Sequence, residues 1–234
     1  MREPLQILYE DAYFVAVHKP PGLLVHRSNI SEDRTFLVQR LRDQIKARVY
    51  IVHRLDRPTA GVVLFGRDSE SANAAAAVFR ARETEKTYLA VVRGHLPAEG
   101  RIERALKKEG KGVLQEAVTH YECLAQQTLD IPVGPYPTAR YSLVRIRPET
   151  GRWHQIRRHF NGISFPIVGD IKHGDRAHNR LFAAEFDAHI LQLLARRLSF
   201  VHPFTDKRLD ITAPLEPQMQ AILDSFGWQF PPGV

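Results

Sequence analysis

The sequence predicts an α+β fold: a mixed, mostly antiparallel sheet with flanking helices packed on it. Three observations lead there. Segments that alternate apolar and polar residues, such as KTYLAVVR (86–93) and RYSLVRIR (140–147), read as strands. Leu37, Leu41 and Ile45 recur at helical spacing and mark an amphipathic helix. The two kinds of segment interleave without the regular βαβ rhythm of a parallel sheet. No Gly/Ser-rich or Pro-rich run divides the 234 residues, so a single domain over 1–234 is expected.

Taken in order, residues 5–10 and 13–18 form a strand pair around an Asp11-Ala12 turn. Lys19-Pro20-Pro21-Gly22 breaks regular structure, because proline fixes φ and removes a donor. A helix follows at 35–48, then a short buried strand at 61–66. Ser69 or Ser71 starts an Ala-rich helix that runs to about Arg82. Strands are expected at 86–93, 116–124 and 140–147, and a short helix at 153–161 after the Thr150-Gly151 turn. Residues 169–180 are a polar loop that turns helical near its end. The apolar segment 189–201 fits helix or strand equally, and 217–226 is a terminal helix with Pro217 near its start.

Charge narrows the function classes. Lys+Arg is 33 against 26 Asp+Glu, giving +7 with neutral histidine, and the pI is about 9.7. This balance favours a polyanionic partner. Cys123 is the single cysteine, so an intrachain disulfide and a Cys-rich zinc site are excluded. No apolar run reaches the roughly 18 residues of a membrane span, and the N-terminus lacks the apolar core of a signal peptide. A soluble, cytoplasmic, monomeric protein is expected, with no membrane and no obligate protein partner.

Four groups of residues could carry chemistry. In VHRLDRPTAGVV (52–63), Asp56 is flanked by Arg54, Arg57 and His53. Nearby arginine favours an ionised carboxylate, suited to act as nucleophile or base. Pro58 and Gly61 stiffen or bend the loop. An ordinary surface loop with a weak ion pair accounts for the same residues. In TGRWHQIRRHF (150–160), a helix over 153–160 puts His154, Arg157 and Arg158 at neighbouring positions, with Ile156 and Phe160 on a packing face. Three cations there oppose the helix dipole unless an anion sits nearby; a solvated basic helix is the alternative. Tyr88 is either a stacking platform for a base or a packed strand residue. His26 and Arg27, in LLVHRS (23–28), are phosphate contacts or plain loop residues. There is no GxxxxGK[ST], HExxH or GxSxG. His173 and His178 lack a spacing that would support a metal site.

The ordered set KPPGLLVH (19–26), HRLDRPTAG (53–61), KTYLAVVRG (86–94) and TGRWHQIRRHF (150–160) resembles the RluA family of pseudouridine synthases. PIVGD (166–170) and LSFVHPFT (198–205) extend the resemblance over nearly the whole chain. The family's ribosomal RNA enzymes often carry an N-terminal S4 domain; here the motifs begin within the first twenty residues, so none is expected. The resemblance implies the pseudouridine synthase fold with a central catalytic cleft, Asp56 as the catalytic aspartate, and isomerisation of a uridine within RNA. Arg54 would fill the space of the flipped uridine, Tyr88 would stack on the target base, Arg157 would pair with the aspartate, and Ile156 would pack beside the site. KHGDRAHNR (172–180) and YPTARYSLVRIRPETGRWHQIRRH (136–159) point to the subgroup acting on uridine 65 of tRNA. An enzyme of the same family acting on ribosomal RNA, a noncatalytic RNA-binding protein and an RNA N-glycosidase are the alternatives. The reaction breaks N1–C1′, turns the uracil and joins C5 to C1′. Nothing is added or lost, so no cofactor or metal is required. Asp56 could attack C1′, attack C6 or remove the C2′ proton. Two departures stand out: Ala60 replaces a usual serine, and Leu194 replaces a frequent histidine.

Overall fold

The computed structural model describes residues 3–27, 35–108 and 112–231. β1 (Ile7–Glu10) and β2 (Phe14–Lys19) form the expected hairpin. Asp11 makes its turn: Oδ1 accepts from the amides of Tyr13 at 2.8 Å and Phe14 at 2.6 Å. α1 (Leu37–Ile45) is shorter than 35–48, because Lys46 takes the left-handed conformation at φ 53° and closes the helix. No side chain caps its start. Instead the amides of Leu37 and Val38 bind the carbonyls of Leu24 and Val25, at 2.8 and 3.1 Å. That contact seats the loop carrying His26.

β3 (Tyr50–Ile51) and β4 (Ala60–Gly66) flank the Asp56 loop. α2 (Ser69–Ala81) starts at Ser69, one of the two expected serines, and Asp68 caps it: its Oδ1 accepts from the Ser71 amide at 2.7 Å. β5 (Glu85–Arg93) follows as expected. Then come β6 (Glu99–Glu103), β7 (Leu106–Lys107) and β8 (Leu114–Gln115). β9 (Val118–Leu129) runs past the expected end at 124, and β10 (Ala139–Pro148) pairs with it down to Leu129. α3 (Gln155–Gly162) starts two residues later than expected. α4 (Arg176–Phe186) begins after Asp175, whose Oδ1 accepts from the amides of Ala177 and His178. β11 (Leu193–Val201) resolves the ambiguous segment as a strand. It is largely buried, so both faces carry apolar residues and the alternation that marks a strand is lost. β12 (Arg208–Thr212) and α5 (Pro217–Phe226), with Pro217 in its first turn, complete the chain.

Among the described residues the sheet strands pair mostly antiparallel, as the sequence predicts. The chain divides into two compact units: Met1–Lys86 with Ala195–Pro214, and Thr87–Leu194 with Leu215–Val234. In the first, β2 lies between β1 and β4, β3 also pairs with β4, and β12 pairs with β11. Phe14, Val63, Leu64, Phe65 and Phe200 are buried there. Gly61 has φ +118°, and a Cβ on it would lie 2.2 Å from the Ala195 carbonyl oxygen, so only glycine allows this approach. In the second, the strand order is β5-β10-β9-β6, all antiparallel. Its core gathers Ala90, Val92, Val144, Ile146, Ile156 and Phe160. Ala60 and Leu194, the two departures from the family pattern, are both buried. Among the described residues no helix is long and apolar enough to cross a membrane.

Candidate active site

In the first unit the segment from His53 to Asp56 alternates between anchors and presented groups. The His53 ring stacks on Phe79 with centroids 4.7 Å apart, and its Nε2 accepts the Leu64 amide at 3.1 Å. Leu55 is buried. Arg54 is exposed and Asp56 half-buried. The next turn is closed by the Thr59 amide donating to the Asp56 carbonyl at 3.1 Å. Thus the backbone on both sides of Asp56 is pinned.

A second motif holds that turn. Lys19 is fully buried, and its Nζ donates to the carbonyls of Pro20 at 2.9 Å, Leu23 at 2.7 Å and Arg57 at 3.0 Å. The Gly22 amide donates to the Arg57 carbonyl at 2.9 Å, and Arg57 Nε donates back to the Gly22 carbonyl at 3.1 Å. A buried ammonium needs such partners to keep its charge. KPPG and HRLDRP are therefore one structure, and Arg57, which had no assignable role from sequence, braces the loop. His26 is half-buried; burial and the charge of Arg54 hold its pKa below the usual histidine range. Arg27 is exposed, and Ser28 of the same motif lies outside the described residues.

In the second unit Tyr88 on β5 pairs in register with Ile146 on β10. It packs, half-buried, against the cluster containing Ile156. Gln155 sets the start of α3: its Oε1 accepts from Thr150 Oγ1 at 2.7 Å and the Arg152 amide at 3.0 Å, while Nε2 donates to the Val118 carbonyl at 2.9 Å. His154 is not in the helix but caps it, in the left-handed conformation at φ 50°. Nor does it act as a third cation. Burial, and then the charge of Arg157, push its pKa down to about 3. Its ring stacks on Trp153 and its Nδ1 lies 2.9 Å from His173 Nε2. The three-cation helix inferred from spacing is thus a two-cation helix.

Arg157 meets an anion that sequence reasoning passed over. Its Nε and Nη2 donate to the two carboxylate oxygens of Asp170, at 2.7 and 2.8 Å. The side chains are only 5% and 1% exposed. Burial opposes the Asp170 charge, but hydrogen bonds and the charge of Arg157, with the amides of His173 and Lys172, outweigh it and lower the pKa. Asp170 closes PIVGD, and that motif was the available signal. His178, the other histidine considered for a metal, lies with its Nδ1 2.7 Å from the buried Tyr141 hydroxyl.

His53 and His154 together predict a pH dependence. Burial comes first in both cases and lowers each pKa from 6.5 to about 3. The unfolded chain binds their protons below about pH 6.5 and the folded chain does not. Stability is therefore full above that value and falls as the pH drops from 6.5 towards 3. The urea midpoint is expected to be lower at pH 5 than at pH 7.5, with a smaller drop for His53→Phe. An unchanged drop in the variant would rule out His53 as a contributor.

Comparison with known proteins supplies the context for this geometry. The family model described as RNA pseudouridylate synthase matches residues 13–162. The tRNA pseudouridine synthase C of Vibrio parahaemolyticus is 46% identical over 235 residues, covering 96% of each chain. That of Haemophilus influenzae is 44% identical over 236 residues, covering 96% of this chain and 99% of its own. The structure of human RNA pseudouridylate synthase domain containing 4 matches with a TM-score of 0.75 and 25% identity, over 97% of this chain and 94% of its own. The fold is the expected pseudouridine synthase fold. Motif order, sheet architecture and family match agree along most of the sequence, and the chain belongs to the RNA pseudouridylate synthase family.

Proposed function

We propose that this protein isomerises one uridine of tRNA, at position 65, to pseudouridine, with Asp56 as the catalytic residue. The observation that carries the substrate is the 46% identity, over 96% of both chains, to a tRNA pseudouridine synthase C. The net charge of +7 fits a polyanionic substrate. A paired uridine must leave its stack to be reached, at a cost of a few kcal/mol. Arg54 occupies the vacated space, Tyr88 holds the uracil face, and Arg157 and Ile156 serve the site. His26, Arg27 and His154 are assigned to binding the RNA.

The anchored backbone supports the role of Asp56. Whether an aspartate attacks C1′, attacks C6 or takes the C2′ proton, it works only when held in one orientation. The turn after Asp56 and the anchors before it supply that restraint. The working form is a monomer in the cytoplasm, with residues 1–234 acting as a single catalytic domain. The reaction as written draws on no cofactor or metal.

The test is incubation of the purified protein with unmodified tRNA and ribosomal RNA transcripts, followed by mapping of pseudouridine at nucleotide resolution. One new pseudouridine at tRNA position 65 is expected. Modification confined to ribosomal RNA would replace tRNA as substrate, and release of free uracil would indicate glycosidase chemistry instead.

A further inference from the structure

We propose that Asp170 is a positioning residue for the isomerisation and acts through Arg157; this rests on the reading that Arg157 serves the reaction. An arginine side chain has several rotatable bonds and is not held by its helix alone. Here one carboxylate grips it at two points, Nε at 2.7 Å and Nη2 at 2.8 Å. Two parallel bonds fix the guanidinium plane, and hence the direction in which Nη1 points. A single bond would leave the plane free to turn.

Asp170 is itself held by the surrounding loop. Its Oδ1 also accepts the amides of Lys172 and His173, both at 2.9 Å. Asn179 on α4 donates from Nδ2 to the Asp170 carbonyl at 3.0 Å and accepts the Gly169 amide on Oδ1 at 2.8 Å. Gly169 adopts φ +79°, and a Cβ on it would lie 2.1 Å from the Ile190 carbonyl oxygen. The backbone entering Asp170 therefore has little room to shift. The restraint runs from Asn179 and the loop amides to Asp170, and from Asp170 to Arg157.

A purely stabilising pair is a weaker account of this arrangement. Buried ion pairs often stabilise no more than apolar residues of the same size. What they do supply is a charge in a fixed direction, which preorganised electrostatics at a reacting group requires. Misplacement by about 1 Å can cost on the order of 10²-fold in rate.

The experiment measures single-turnover pseudouridine formation and tRNA affinity for the full chain and for Asp170→Asn, Asn179→Ala, Arg157→Lys and the double variant Arg157→Lys/Asp170→Asn. Asp170→Asn is expected to slow the reaction about 10²-fold and Asn179→Ala about 3–10-fold, with affinity within about threefold. The double variant should be no more than about twofold slower than Arg157→Lys alone, because residues acting through one another do not lose rate independently. Multiplied losses would overturn the inference, as would a slow Arg157→Lys beside an unaffected Asp170→Asn. An Arg157→Lys variant as fast as the native protein removes the role on which the inference rests, and the inference falls with it. Should Asp170→Asn lose its native circular dichroism, Asn179→Ala in the Arg157→Lys background decides by the same comparison: no added loss supports the inference, a multiplied loss overturns it.

Discussion

Asp56→Asn is expected to lower pseudouridine formation by about 10⁴-fold or more, while tRNA affinity stays within about threefold of the native protein. Asparagine has nearly the same size and keeps an oxygen acceptor, so the loop should stand. Its side chain is neutral and is neither a nucleophile nor a base of comparable strength. Three anchors of the loop lie outside that side chain: Leu55 is buried, His53 binds the Leu64 amide, and the Thr59 amide binds the backbone oxygen of residue 56. Most affinity for RNA comes from phosphate contacts, which this exchange leaves alone. A variant turning over within about tenfold of the native rate would remove Asp56 from the chemistry.

Arg157→Ala acts first on stability. It strips the partner from a carboxylate that is 1% exposed. Leaving a buried charge unpaired costs about 3–5 kcal/mol, which for a chain of this length lowers the melting temperature by roughly 10–15 °C. The pH dependence distinguishes this cause from lost packing. In the native protein the folded carboxyl titrates below its ordinary value of 3.8, so its contribution is present above about pH 4 and is lost as the pH falls through the folded value. Without Arg157 burial dominates and raises the Asp170 pKa, so the variant's deficit should shrink on acidification. Denaturant midpoints for both proteins at pH 7 and pH 4 test this. A deficit independent of pH would assign the loss to packing alone. Arg157→Leu combined with Asp170→Leu should recover much of the stability, since the Asp170 carboxylate is then no longer buried without its arginine.

Much of the architecture was legible because local pattern and burial agree. β2, β4, β5 and β10 lie close to where their sequences place them, and α5 lies where Pro217 marks its start. The differences have local causes. Lys46 ends α1 early by entering the left-handed region, and His154 stands outside α3. Each concerns one residue's backbone at a helix end, where several polar side chains compete for the same exposed amides. β3, β6, β7, β8 and β12 were missed. β3, β7 and β8 have only two residues each, too few for any periodicity to register, and a strand that short exists only because a partner supplies its hydrogen bonds.

The sequence by itself determined the α+β class, the order of the motifs and the residues to examine, because these depend on local periodicity and on residue types in a recurring order. It could not reveal which charges meet. Spacing set Arg54 and Arg57 on either side of Asp56 as equivalents, whereas in the fold Arg57 Nε donates to the Gly22 carbonyl, 35 residues away in sequence. Spacing also suggested three cations on α3, yet one is a neutral histidine and Arg157 is clamped by Asp170. Lys19 and Asp170 were passed over because the contacts that tie them to the candidate motifs, with the Arg57 carbonyl and with Arg157, span 38 and 13 residues. An ion pair is made by distance and by exclusion of water, and only the folded chain sets either.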